Sequence, residues 1–365
     1  MSVGVDPRSP SSLHGPPPAA ASAPRRSGGL FRNRSIWAKS PLLLLRFPAI
    51  LLAVFFSIVI LSMASSLGPL YRSATANATL TDQLRSVPRW QAGLTVVSVA
   101  QVAGRLPVSS PFHVLLAETL LEGRDDLLHE ALAGARGLGP ERLSILATAR
   151  AVVNPSVHRP PIVVRPFTGT GAFSHVQLIS GGGTDGLWFP ESVASKLALH
   201  PGDRAAIDLG EKRVGVRVAA VYRDLDTEHL TEYWAPLAGW IKAPLPDQPL
   251  PPTLILADQD TLHDLEGRVH DPSAVFEWLF PLARTDLTLE DGATLADTLQ
   301  RLKFGLNDPT SRYFGFFLSP SIRASFPDLY RRAQEVATSL QGPIESLTLT
   351  GVIVAFLVVS AAGIY

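Results

Sequence analysis

The sequence predicts an α+β domain held outside the membrane between two membrane-crossing helices. Three observations predict it. Two long apolar runs carry no charge at all, and the stretch between them alternates between strand and helix periods. In bulk, 46% of the 365 residues are hydrophobic and only 18% charged, where a soluble domain carries about 25% charged residues. Lys plus Arg equals Asp plus Glu, at 32 each, so the basic excess of a nucleic-acid-binding protein is missing and no nucleic-acid partner is expected. The chain has no cysteine, which excludes disulfides, thiolate zinc sites and iron–sulfur clusters.

Residues 1–35 are Pro, Ser, Gly, Ala and Arg with almost nothing to bury, and are expected to be a disordered tail. The tail is basic: Arg8, Arg25, Arg26, Arg32 and Arg34 stand against Asp6 alone. In residues 36–46, Trp37 and Leu42 to Leu45 flanked by Lys39 and Arg46 suit an interfacial helix. Residues 47–71 then run without a charge, and a span needs about 20 apolar residues to cross the bilayer. A cleaved signal peptide is the alternative, since Ala76-Asn77-Ala78 resembles a cleavage site, but a signal's apolar region is only about 7–15 residues long. With the basic flank on its N-terminal side, the N-terminus is expected in the cytoplasm and residues 72–345 outside, in a multi-pass protein of the cell membrane.

Residues 72–319 form the predicted extracytoplasmic α+β domain. Gly93 to Val102 and Pro161 to Val164 read as strands, and Phe112 to Leu121, Asp126 to Ala135 and Leu289 to Leu302 as helical stretches. Residues 320–345 are predicted to be a stalk helix. Its seam is Ile322, Phe326, Leu329, Ala333, Val336 and Leu340, at alternating spacings of four and three, with Leu70, Ala74 and Leu84 as the expected partner face. An amphipathic helix packed on the domain is the other reading of that pattern. Gly342-Pro343 follows as a candidate hinge, because proline removes a helical hydrogen bond; a plain helix stop is the alternative. Residues 346–365, again without a charge, are the second predicted span, with a buried C-terminal helix as its alternative. No basic residue follows it, so the protein is expected to continue beyond Tyr365.

The most informative local pattern runs from Trp188 to Asp224. Pro190 and Glu191 suit a helix start, Val193, Ala194 and Leu197 share a face, and His200-Pro201-Gly202-Asp203 is a tight turn. Ile207 and Leu209 then precede a hairpin turn at Gly210-Glu211. Val214, Val216, Val218 and Tyr222 are expected on one face of the next strand, with Arg213, Arg217 and Arg223 on the other. Glu191-Ser192-Val193-Ala194, Lys196-Leu197, Leu199, Pro201-Gly202-Asp203 and Val216 to Asp224 together resemble the extracytoplasmic domain of the FtsX/MacB-type ABC transporter permeases. Phe189 departs from the small polar residue expected before that helix. The resemblance implies a MacB-like external domain of two subdomains, dimerisation or a pseudo-symmetric permease pair, and a separate cytoplasmic ABC ATPase as partner. It also implies that the external domain moves in response to ATP hydrolysis, as in relatives that export drugs or peptides, extract lipoproteins or activate cell-wall hydrolases.

Catalytic patterns are missing from the sequence. There is no G-x-x-x-x-G-K-S/T phosphate loop, no H-E-x-x-H and no G-x-S-x-G, so no enzyme activity, cofactor or metal is expected. Gly181-Gly182-Gly183 reads as a flexible turn. Asp258, Asp260, Asp264 and Glu266 near His263 lack the glycine and terminal glutamate of a calcium loop and read as a solvated helix start. Three function classes stay in view: an ABC permease subunit, a receptor whose external ligand-binding domain is flanked by two spans, and a membrane-anchored enzyme, which the missing motifs disfavour.

Overall fold

Proline has no N–H to lose in a first helical turn, and Pro48 opens the first helix of the computed structural model. The structure describes residues 48–101, 117–148, 150–153, 161–209, 212–226, 229–243, 245, 248–266, 268, 273–311, 313 and 317–364. The predicted tail, interfacial helix and Gly210-Glu211 turn lie outside the described residues. In chain order the elements begin with helix α1 (Pro48–Ser86), strand β1 (Leu94–Gln101), helix α2 (Ala117–Leu132) and strands β2 (Arg142–Ala147), β3 (Ala151–Val153), β4 (Ile162–Gly169), β5 (Leu178–Gly181) and β6 (Leu187–Pro190). Helix α3 (Glu191–Leu197) precedes β7 (Arg204–Asp208), β8 (Arg213–Tyr222), β9 (Thr253–Leu256), helix α4 (Gln259–Glu266) and β10 (Ser273–Phe280). Helix α5 (Leu289–Asn307), β11 (Leu318–Ala324) and helices α6 (Phe326–Ser339) and α7 (Gln341–Ile364) complete the order.

The chain divides into two units, residues 1–63 with 349–365, and residues 64–348. In the first, Phe55, Phe56, Ile58, Ile353, Phe356 and Leu357 are exposed, and Ser57 Oγ donates to the Ala355 carbonyl at 3.4 Å. Large apolar side chains on the outside of a helix belong in lipid rather than water. Among the described residues, two helices are long and apolar enough to cross a membrane.

The second unit mixes α and β structure. Strands run β11-β1-β10-β2-β4 in antiparallel pairs. From β4 the sheet passes through β3, β7, β8, β6 and β9 and returns to β4, because β9 also pairs with β4 in parallel. The sheet thus closes on itself, which leaves those strands without an open edge. Two apolar clusters lie on its faces. The larger gathers β1, β10 and α5 residues such as Val96, Trp278, Leu295 and Leu299 with Val214, Val216, Val218 and Phe189. The smaller gathers Phe167, Trp188, Tyr222, Trp234, Leu254 and Leu256.

Alternation along β8 is interrupted once. Leu187 pairs with Val218 and Trp188 with Ala220, so Ala219 is an extra residue, a bulge that inverts the pattern beyond it. Val221 therefore joins Val214, Val216 and Val218 in the larger cluster, and Tyr222 turns to the smaller one, donating its hydroxyl to the Leu254 carbonyl at 2.6 Å. The expectation that Tyr222 shares a face with those valines fails for this reason. A second difference lies in residues 112–135: α2 is a single helix from Ala117 to Leu132, passing through the place where two stretches were expected, while residues 112–116 lie outside the described residues.

Helix α3 lacks a cap of its own. Pro190 takes the cap position in extended conformation (φ −68°, ψ 151°) rather than the first turn, and its side chain can accept nothing. Asp224, just past β8, supplies what is missing: the Ser192 backbone N–H donates to its carboxylate at 2.9 Å and the Ser192 hydroxyl at 2.6 Å. At the other end Gly202, at φ 97°, permits the tight turn in which the His200 N–H donates to Asp203 Oδ2 at 2.8 Å. Asp224→Ala removes the only acceptor shown for the Ser192 N–H and is expected to lower the stability of the second unit by about 1 kcal/mol. Denaturant unfolding of the full chain measures this, and Asp224→Asn, which keeps one acceptor oxygen, is expected to lose less.

Candidate functional site

The predicted stalk residues are divided among different surroundings. Ile322 is not in a helix: it lies in β11, where it pairs with Val96 of β1, because the antiparallel ladder holds the chain extended as far as Ala324. The helix begins at Phe326, with a proline in its first turn. Phe326, Leu329 and Ala333 are buried in the larger cluster together with Leu295, Leu299 and Leu302 of α5. Val336 is 36% exposed and Leu340 half-buried. The first half of α6 is thus part of the domain rather than a free stalk.

Helix α1 joins the same core, with a stripe that includes Leu84 of the expected face but not Leu70 or Ala74. Leu70 and Ala74 are exposed, and Ala76, Leu80 and Leu84 are the buried residues, four apart on one face. Leu80 and Leu84 belong to the larger cluster with Phe326 and Ala333. Asn77 reinforces this packing, its Oδ1 accepting the Leu289 N–H at 2.8 Å, while Thr288 Oγ1 accepts the Asp291 N–H at 3.1 Å. The first turn of α5 is therefore satisfied partly by its own threonine and partly by α1.

Beyond these contacts lies a cleft of about 210 Å³ lined by Gly68, Pro69 and Arg72 of α1 and by Gln341, Ile344, Glu345 and Thr348 of α7. The two helices approach closely here. A Cβ on Gly68 would stand 2.6 Å from Ile344 Cγ2, nearer than real carbon contacts allow. The candidate hinge borders the same place. Gly342 and Pro343 are exposed residues in the first turn of α7, and Gly342 has open space where a Cβ would go. Pro343 has no N–H for the Ser339 carbonyl, and the helix is interrupted at Leu340, with φ −80° and ψ −7°. Sequence reasoning passed over Gly68-Pro69, the matching dipeptide on the other helix. Its signal was a proline within an otherwise unbroken apolar run.

Titratable groups lie elsewhere in the domain. Glu266, at the end of α4, is 0% exposed and neither carboxylate oxygen has a hydrogen-bond partner; burial pushes its pKa up to about 7. This contradicts the solvated helix start, although Asp258 does cap α4, accepting the Thr261 N–H at 2.7 Å, and Asp264 pairs with Arg268 at 2.7 Å. Glu277 on β10 is pushed up to about 7 by burial, against the opposing pull of Arg323. Asp125 on α2 accepts the Trp278 indole N–H, and burial raises its pKa. His129 contacts the Asp125 carbonyl through Nδ1 at 2.9 Å and Glu141 through Nε2 at 3.2 Å. Among the described residues no group of three or more His, Cys, Asp or Glu could hold a metal ion. The Gly181-Gly182-Gly183 turn has left-handed backbone throughout and its Gly183 carbonyl accepts the Trp188 indole N–H at 2.7 Å.

No protein-family model matches the chain, and no curated protein matches it either. Among solved structures it is similar to a domain of a protein named as a permease from Porphyromonas gingivalis, at 13% identity and a TM-score of 0.31, over 64% of this chain and 90% of that one. At that score the likeness supports no conclusion about this chain.

If the Gly68 approach holds the two helices together, Gly68→Ala lowers the thermal midpoint of the detergent-solubilised chain, and adding Ile344→Ala restores part of the loss. A double-mutant cycle with no coupling between the two positions contradicts the contact. Glu266 binds protons more tightly in the folded chain than at its ordinary pKa of 4.5 in the unfolded one, so its contribution is fully present below about pH 4.5 and is lost as pH rises toward about 7. Glu266→Gln is therefore expected to flatten the fall in stability over that window, measured by denaturant unfolding at a series of pH values.

Proposed function

We propose that the protein is the permease subunit of an ABC transporter, in which a separate cytoplasmic ATPase drives movement of the 64–348 domain through α1 and α7. The supporting observation is the way the domain is attached. Leu80 and Leu84 of α1 and Phe326 and Ala333 of α6 are buried in one core, so both chain connections to the apolar segments leave from packed helices rather than from loops. Force on either helix acts on the core directly. The break at Leu340 and Pro343 serves in this reading as the hinge, and the alternating faces of 188–224, with their resemblance to FtsX/MacB-type external domains, supply the transporter class. The domain lies outside the membrane and the N-terminus in the cytoplasm.

Two measurements test it. The chain has no cysteine, so single-cysteine variants report topology cleanly. An outside-only thiol reagent is expected to label Arg217→Cys and spare Arg26→Cys, and the reverse pattern overturns the topology. Purified from its own cells in mild detergent, the chain is expected to bring down a nucleotide-hydrolysing subunit. With that subunit bound, ATP is expected to change the labelling rate of cysteines on the domain, and Pro343→Ala to reduce that change. A chain that captures no ATPase but shows ligand-dependent labelling is a receptor instead.

A further inference from the structure

Strands β3 and β4 meet at a pair of arginines that have no counter-ion among the described residues. Strands β3 and β4 run antiparallel with Ala151 opposite Val164 and Val152 opposite Val163. Arg150 comes just before β3 and Arg165 just after Val164 on β4, so the two arginines are neighbours at the end of this ladder. Like charges on neighbouring strands repel and destabilise the sheet. The repulsion is felt: burial and the charge of Arg150 both lower the pKa of Arg165. No carboxylate appears among the groups acting on Arg165. By register, Asp208 on β7 stands opposite Val152 on one side and Arg213 on the other, two positions along β3 from Arg150.

Arg165 is also held in place. Its guanidinium lies over the Trp240 ring, 5.1 Å from the centroid, and its Nε is buried without any hydrogen-bond acceptor. A cation–π contact accounts for the flat face of the group and leaves the in-plane N–H donors unused. A buried donor left unpaired is unfavourable. The arrangement is thus a pre-oriented guanidinium fork beside a second, exposed guanidinium, on a rigid sheet, with an aromatic ring as its floor.

We propose that Arg165 and Arg150 form an anion site, with Trp240 as its positioning wall, that binds a phosphoryl group. Two guanidinium charges match a group that can carry two negative charges and offers several oxygens for bidentate contact, whereas a carboxylate carries one. The phosphoryl group belongs to a soluble phosphate ester or to a lipid headgroup. This site is independent of the transport reading and lies on a different part of the domain from the helix cleft.

The test uses the full chain in a neutral detergent, with inorganic phosphate titrated at constant ionic strength against chloride. Saturable binding, read as a thermal shift, is expected, with Arg165→Gln and Arg150→Gln each weakening it at least tenfold. Arg150→Gln is also expected to raise the thermal midpoint in the absence of phosphate, because it relieves the cross-strand repulsion; this readout separates the site from a merely structural arginine and shows that the variant folds. Sodium acetate over the same range is expected to bind more weakly. Co-sedimentation with vesicles of phosphatidic acid, a phosphomonoester lipid, in phosphatidylcholine, sensitive to Arg165→Gln, assigns the group to lipid; binding of inorganic phosphate without such sensitivity assigns it to a soluble ester. A phosphate response that does not saturate, or that is equal in all three proteins, overturns the proposal.

Discussion

The burial of one face of α1 and one face of α6 in a common core is the interaction on which the rest of the structure depends. Burying a leucine or phenylalanine side chain contributes about 1.5–3 kcal/mol. Leu80, Leu84, Phe326 and Leu329 together therefore outweigh any single hydrogen bond in the region. The packing also explains the sheet order. Because α1 leads into β1 and β11 leads into α6, anchoring both helices on one core brings β1 and β11 side by side, and they pair from Leu94 and Ala324 onward. The first and last strands of the domain are neighbours because the helices that hold them are neighbours.

Local periodicity was enough to reveal much of this. The two apolar runs, the strand from Gly93, the helix from Leu289 and the helix–turn–hairpin at 188–224 follow from apolar spacing and turn residues, which act over a few residues and leave a mark in the chain. The mistakes share a cause. Ile322 fits the seam of α6 by spacing, yet β1 claims it for the sheet, and a six-residue seam cannot register a partner strand more than two hundred residues away. Tyr222 falls on the wrong face because one bulged residue, Ala219, reverses the parity of β8, and nothing in β8 itself marks it. Leu70 and Ala74 miss because the core takes the face of Ala76, Leu80 and Leu84 and leaves them exposed, and hydropathy does not distinguish the two faces.

The caps carry the same lesson. Phe189 and Pro190 give α3 no polar start of its own, and a reading confined to neighbours counts this as a defect. Asp224, 32 residues beyond Ser192, corrects it. Asn77 adds to the threonine cap of α5 from 212 residues away. In both cases the capping carboxylate or amide sits at a strand or helix whose position the core has already fixed, so the hydrogen bond is a consequence of the packing rather than its cause. The resemblance carried by Val216 to Asp224 gains a physical content here: the final aspartate of that run is the residue that completes the helix at its beginning. Among candidate site residues, Gly342 and Pro343 were visible because proline announces a broken ladder, whereas Glu266 was hidden, since an acidic run looks alike whether one member is buried or none.

Where the domain can yield follows from comparing these quantities. Detaching α6 from the core exposes Phe326, Leu329 and Ala333 together, several kcal/mol of apolar burial. Bending at Leu340 disturbs a ladder that Pro343 has already interrupted, and a single net hydrogen bond is worth about 0.5–1.5 kcal/mol. On α1 the counterpart is Pro69, which cannot donate to the Ser65 carbonyl and sits beside the Gly68 approach to Ile344. Both helices are therefore weakest within the same cleft and strongest just beyond it, where the core grips them. In the transport reading proposed above, a displacement delivered along either helix bends it at the cleft, because that costs less than unpacking Phe326, Leu329 and Ala333 from the core.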